Sequence, residues 1–250
     1  NPCAAATAAV DEVWDRGRSA QLEGLGRGSA EPTLDAWVAS WRSAALDACR
    51  SADAGLLGSA ASAERRAVCL DRGLAQLDAL GRALDSGELE HGSELVEWIG
   101  ELDDPQACLG EAVLASELQP PPPEQAERIA ELRQRSIRAT MGAAGHSLAE
   151  RIAAAEDLDA EAQASGWRPL LGEVALTRGR LALRVRDADA AREHIGRAID
   201  LARLSRDLAL EAEAWSLLNA VERILSFDLE RAEWALQRQA AVFTDIPSTT

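Results

Sequence analysis

The sequence predicts an all-α protein built from helical hairpins. Three observations point there. Apolar residues are 47% of the 250-residue chain and are mostly Ala and Leu, which favour helix over strand. Apolar positions recur three and four residues apart, the spacing of one helix face. In the second half, Ala149, Ala191 and Ala232 stand 42 and 41 residues apart, a period that marks stacked hairpins.

In order, a first helix is expected over Ala4 to Asp15, with Val10, Val13 and Trp14 on its apolar face. A second short helix would run to Leu25. The glycines from Gly24 to Gly28 then read as a linker, because no strand precedes them and no Lys follows, as a phosphate loop requires. Glu31-Pro32 opens a helix with proline in its first turn, carrying Leu34, Trp37, Val38, Trp41, Ala45 and Cys49 on one side. The next runs from Ala61 to Leu84 with Val68, Leu70, Leu74, Leu77 and Leu80. A shorter helix holds Leu95, Val96, Trp98 and Ile99. Another starts at Asp104-Pro105 and carries Cys108, Leu109 and Val113.

Pro120 to Pro123 reads as a stiff connector or a helix start. It divides the chain into a Cys- and Trp-containing helical subdomain, 1–119, and a repeat region, 124–244. Six helices are expected after it, at about 124–142, 146–165, 168–186, 188–204, 206–226 and 228–243. The breaks pair them into three hairpins. In the middle hairpin, Ala175, Gly179 and Ala182 on one arm and Ala191, Ile195 and Ala198 on the other place small residues where two helices approach closely. The connector runs from Arg186 to Asp189. The third hairpin has Trp215, Leu218, Ala232 and Leu236. The first is weaker, with Gly145 at its turn and Ala149 and Ala153 after it. This pattern resembles the tetratricopeptide repeat. That resemblance implies a right-handed α-solenoid whose first arms line a concave face. The period exceeds the usual repeat of about 34 residues, as in long-armed variants, and a HEAT-type solenoid is the alternative.

Charge narrows the function. The net charge is −16. Up to Glu117 the chain carries 21 acids and 9 arginines; the remainder carries 21 and 17. Such a surface repels phosphate backbones, so a nucleic-acid partner is not expected. No run of 18 or so apolar residues occurs, so no transmembrane helix is expected in this chain. The start at Asn1, without Met, reads as a fragment or a processed product.

Cys3, Cys49, Cys69 and Cys108 form no Cys-x-x-Cys pair and have no His at ligand spacing, so no zinc site is expected. They read either as buried thiols in a cytosolic protein or as two disulfides in an oxidising compartment. Folding about the break at Gly55, with its midpoint near position 59, puts Cys49 level with Cys69. That pairing leaves Cys3 for Cys108, although four cysteines allow three arrangements.

No catalytic centre is legible and no cofactor is expected. His91, His146 and His194 are isolated and read as surface or capping residues. No Gly-x-Ser-x-Gly elbow occurs, and the carboxylates interleave with Arg as on a solvated helix face. Projecting the repeat places Arg135, Arg138, Glu173, Arg180, Arg184, Glu213, Ser216, Asn219 and Arg223 along the concave face. An Arg-rich concavity suits an acidic peptide or terminal carboxylate. Ordinary salt bridging between helices is the competing reading.

A wider resemblance rests on Val13-Trp14, Trp37 and Trp41 before Cys49, the run from Arg66 to Arg72, Leu77 to Leu80, Pro105 to Cys108, and Gly166 to Glu173. With these residues the chain resembles the C-terminal regions of myxobacterial serine/threonine protein kinases, where a kinase domain and a membrane helix precede such a region. The kinase motifs themselves are absent: there is no glycine-rich ATP loop, no His-Arg-Asp, no Asp-Phe-Gly and no Lys. The resemblance implies a non-catalytic sensor or docking portion outside the cytoplasmic membrane, binding a protein or peptide ligand, with a homodimer possible in such receptors. A cytosolic adaptor is the alternative, and an enzyme with a concealed site is the third class.

Overall fold

A computed structural model describes residues 2–15, 17–18, 22, 30–53, 60–87, 92–100, 102–116, 118, 120–141 and 147–244. The expected helix towards Leu25, the linker at Gly24 to Gly28, the break at Gly55, the turn at Gly145, and His91 and His146 lie outside these residues. Among the described residues every regular element is helical. The α-helices are α1 (Ala8–Val13), α2 (Glu31–Asp53), α3 (Ala60–Asp85), α4 (Gly92–Gly100), α5 (Glu111–Ala115), α6 (Ala126–Met141), α7 (Leu148–Ser165), α8 (Arg168–Arg184), α9 (Ala188–Ser205), α10 (Leu208–Val221) and α11 (Leu229–Thr244). The chain forms two compact units: Asn1–Leu114 with Met141–Gly145, and Ala115–Thr140 with His146–Thr250. No helix among the described residues is long and apolar enough to cross a membrane.

In the first unit α2 packs on α3. Leu34, Val38, Trp41, Ala45, Val68, Leu70, Leu77 and Leu80 are buried, as the helical spacing of both stripes requires. The Trp41 indole crosses between the arms and donates to the Leu70 carbonyl at 3.0 Å. Two 3₁₀ segments flank the pair, Pro2–Thr7 and Pro105–Leu109. They replace parts of the expected helices: the first helix is regular only from Ala8, and the one expected from Asp104-Pro105 is interrupted. There Asp104 caps the 3₁₀ segment by accepting from the Gln106 N–H at 3.0 Å. Gly110 then adopts an extended conformation before α5 begins.

The disulfides are Cys3–Cys49 and Cys69–Cys108, with Cα separations of 5.7 and 5.6 Å. This corrects the expected pairing of Cys49 with Cys69 and Cys3 with Cys108. The reason is hairpin register. With Trp41 opposite Leu70, Cys49 falls opposite Ser62, and Cys69 lies about two turns away. At 1.5 Å per residue that is about 10 Å, beyond the roughly 7 Å that a disulfide spans. Each bridge instead fastens a flanking 3₁₀ segment to one arm. Two disulfides fit an oxidising, extracytoplasmic environment.

The second unit is a succession of antiparallel helices in which each packs on the next from α7 to α11, and α8 also touches α10. Helix α8 is the shared wall. One side (Leu170, Val174, Leu181) closes a core with Ile129, Leu132, Leu158 and Ala162. The other side (Ala175, Leu176, Ala182) closes a second core with Ala191, Ile195, Ala198, Leu210 and Trp215. Gly179 permits the closest approach: a Cβ there would lie 2.6 Å from Ile195 Cγ1. Three landmarks differ from expectation. Ala149 and Ala153 are exposed, because α7 buries the stripe through Ala155, Leu158 and Ala162 that holds its large leucine. Leu236 is 55% exposed, while Ala232 and Ala235 face the core.

Three turns of this unit repeat one device. Arg186, Arg206 and Phe227 each adopt a left-handed conformation, with φ of 62°, 53° and 53°. The Asp that follows each ends one helix and starts the next. The Asp187 and Asp207 N–H groups donate back to the Ala182 and Ala202 carbonyls at 3.0 and 2.9 Å, as in a Schellman turn. The Asp187, Asp207 and Asp228 side chains then accept from the N–H three residues on, at 3.0, 3.2 and 3.0 Å, each an N-cap. Before α7 the same task falls to a capping box of Ser147 and Glu150.

Candidate functional site

The face shared by α6, α8 and α10 is laced by ion pairs between successive arms. Arg133 forks onto Glu173, with Nε–Oε2 and Nη2–Oε1 at 2.7 and 2.9 Å, and its guanidinium lies 5.4 Å from the centre of the Trp167 ring. Arg180 pairs with Glu213. Arg135 forks onto Glu161 of α7 at 2.9 and 3.1 Å, where Arg128 also binds. The Arg135 hydrogen bond, ahead of the other contributions, holds the Glu161 carboxyl below its usual range. Beneath these pairs, Ser136 and Thr140 meet Thr177 at 2.9 and 3.1 Å in a buried hydroxyl cluster.

Of the nine residues projected onto the concave face, five therefore have defined partners within the fold. Arg135, Glu173, Arg180 and Glu213 are in ion pairs. Asn219 Nδ2 donates to the Ala232 carbonyl at 2.7 Å, joining α10 to α11. Arg138, Arg184, Ser216 and Arg223 are exposed. None of these three arginines forms an ion pair among the described residues.

The unit has a second charge cluster, around Asp159, which single-sequence spacing did not reveal. Asp159 is 7% exposed. It accepts from Arg197 Nη1 at 2.9 Å, Gln163 Nε2 at 2.9 Å and Arg178 Nη1 at 3.3 Å. An open cleft of about 220 Å³ lies beside it, with Ile152, Leu181 and Val185 as apolar walls and Glu156, Arg178 and His194 as polar ones. His194 is half-buried and lines this open cleft. Burial, and then the nearby Arg178 charge, push its pKa down. Further along, Arg192 forks onto the buried Glu222 at 2.8 and 3.1 Å. That hydrogen bond lowers the Glu222 pKa and raises that of Arg192. Arg203 reaches Glu211 at 2.7 Å and lies over the Trp215 ring.

These arrangements pair and neutralise charge across the helices. Among the described residues no group of three His, Cys, Asp or Glu side chains is placed to hold a metal ion. No family model, curated protein or solved structure matches this chain.

Proposed function

We propose that the chain is a non-catalytic binding module. Its second unit is a tetratricopeptide-like right-handed stack of three long hairpins, and the face of α6, α8 and α10 receives an acidic peptide or terminal carboxylate. One observation carries this reading. Arg138, Arg184 and Arg223, which the repeat pattern projects onto this face and the last of which lies in the turn just after α10, are exposed and have no ionic partner among the described residues, whereas Arg133 and Arg180 are matched to carboxylates. A guanidinium fork left over on such a face is suited to an incoming carboxylate. The resemblance to kinase C-terminal regions, with the two disulfides, supports assigning the module to the extracytoplasmic part of a receptor-type serine/threonine protein kinase.

The test is calorimetric titration of the oxidised chain with a Glu-rich peptide bearing a free C-terminus. Arg184→Glu with Arg223→Glu is expected to weaken binding by at least roughly tenfold while the melting temperature holds. Unchanged binding in the double variant contradicts the proposal. Arg180 is a poorer probe, because its reversal also breaks the pair with Glu213.

A further inference from the structure

Arg66 of α3 is 5% exposed. Its Nη2 donates to the Leu109 carbonyl at 3.2 Å. Its Nε is buried without a partner, and no carboxylate among the described residues pairs with it. Burial lowers its pKa. A guanidinium carries five N–H donors, and one carbonyl occupies only one of them. Burying such a charge uncompensated is costly.

The first unit does not lack acids to prevent this. Arg18, Arg42, Arg50 and Arg82 each pair with an aspartate, namely Asp85, Asp11, Asp47 and Asp78. Arg65 shares the exception. Its Nη2 donates to Ser62 Oγ at 3.3 Å, and its Nε is also buried without a partner. Two adjacent arginines in an acid-rich unit thus lack carboxylates, and one of them is buried. Adjacent side chains on a helix diverge, so Arg66 is the contact and Arg65 adds its field. Among the described residues Arg66 Nη1 makes no hydrogen bond and, unlike Nε, is not a fully buried orphan, so the guanidinium is open there.

We propose that Arg66 is an oxyanion-binding residue, taking a carboxylate or phosphate oxygen at Nη1 beside the 3₁₀ segment that Cys69–Cys108 fastens to α3. The site lies in the first unit and does not rest on the acidic-peptide reading of the second.

The test is thermal unfolding of the full oxidised chain in chloride, phosphate and citrate at matched ionic strength and pH. Wild type is expected to gain roughly 5 °C over chloride in phosphate, citrate or both, and Arg66→Met to gain none. The arm that shifts distinguishes phosphate from carboxylate. Phosphate and citrate also strengthen burial generally, so an equal gain in wild type and Arg66→Met overturns the proposal, as does no gain in wild type. Arg66→Lys keeps the charge and loses the fork, and is expected to show a smaller gain. If Arg66→Met does not fold, a full wild-type gain in Arg66→Lys likewise overturns the proposal.

Discussion

In the first unit the long arms α2 and α3 share a buried stripe and an indole hydrogen bond, and their flanks are held by covalent bonds. In the second, no bond is covalent between helices. Capped turns set the angles, small residues set the approach, and a lattice of arginines and carboxylates joins helices that are far apart in sequence. The first unit carries far more acids than arginines. Ion pairs cannot neutralise that excess, and its self-repulsion opposes compaction. A disulfide is indifferent to pH and salt. The second unit has a smaller acidic excess and relies on pairs that are sensitive to both. Redox state should therefore act on one unit and acidity on the other.

The largest expected effect follows from removing a bridge. Cys69→Ser with Cys108→Ser opens a loop closed over a 39-residue separation, which the chain-entropy account values at about 4 kcal/mol. Urea unfolding should show the first unit losing that amount while the second keeps its midpoint. A shared loss would mean that the two units unfold as one.

Overpacking gives the converse. Gly179→Val drives a side chain into Ile195, whose Cγ1 lies 2.6 Å from where a Cβ would stand. It should cost the second unit about 2 kcal/mol and leave the first unchanged. The same denaturation curves read both results, and a negligible cost would show that α8 and α9 have room to separate.

Acid has the smallest effect and confines itself to the second unit. The folded His194 pKa lies below its ordinary 6.5, so the unfolded chain takes up the proton first. Its contribution is complete above about pH 6.5 and is lost as pH falls from there through the folded value. Arg178, Asp159, Glu193 and Arg197 surround it and set that interval. Glu222 and Glu161 are held below 4.5, so their contributions are present above that value and vanish at lower pH. His194→Gln should flatten the loss of stability between about pH 7 and 5 by under roughly 1 kcal/mol. An unchanged slope would assign that loss to other groups.

Local and nearest-neighbour features were legible in the sequence. The six helices of the second unit follow from three- and four-residue periodicity, and Ala175, Gly179, Ala182, Ala191, Ile195 and Ala198 are all buried, as small-residue spacing implies. The connector Arg186 to Asp189 was read as a turn, whereas the capping roles of Asp207 and Asp228 were not, because the left-handed residues before them are not the glycines that usually signal one. Features set by distant partners were not legible. The disulfide pairing depends on the register that Trp41 and Leu70 impose, which loop midpoints do not reveal. Nothing local ties Arg133 to Glu173 or Arg180 to Glu213. Five of the nine concave-face candidates therefore looked available for a ligand when they in fact brace the fold. The burial of Arg66 and His194 is likewise a property of packing.

Hydrogen exchange of the intact chain, with and without reductant, compares the two units in one experiment. Reduction should raise exchange across α2 and α3 and the segment Pro105–Leu109 while leaving α8 and α9 protected. Equal deprotection of α8 and α9, or unchanged protection of α2 and α3, would contradict an account in which disulfides hold one unit and packed, ion-paired helices the other.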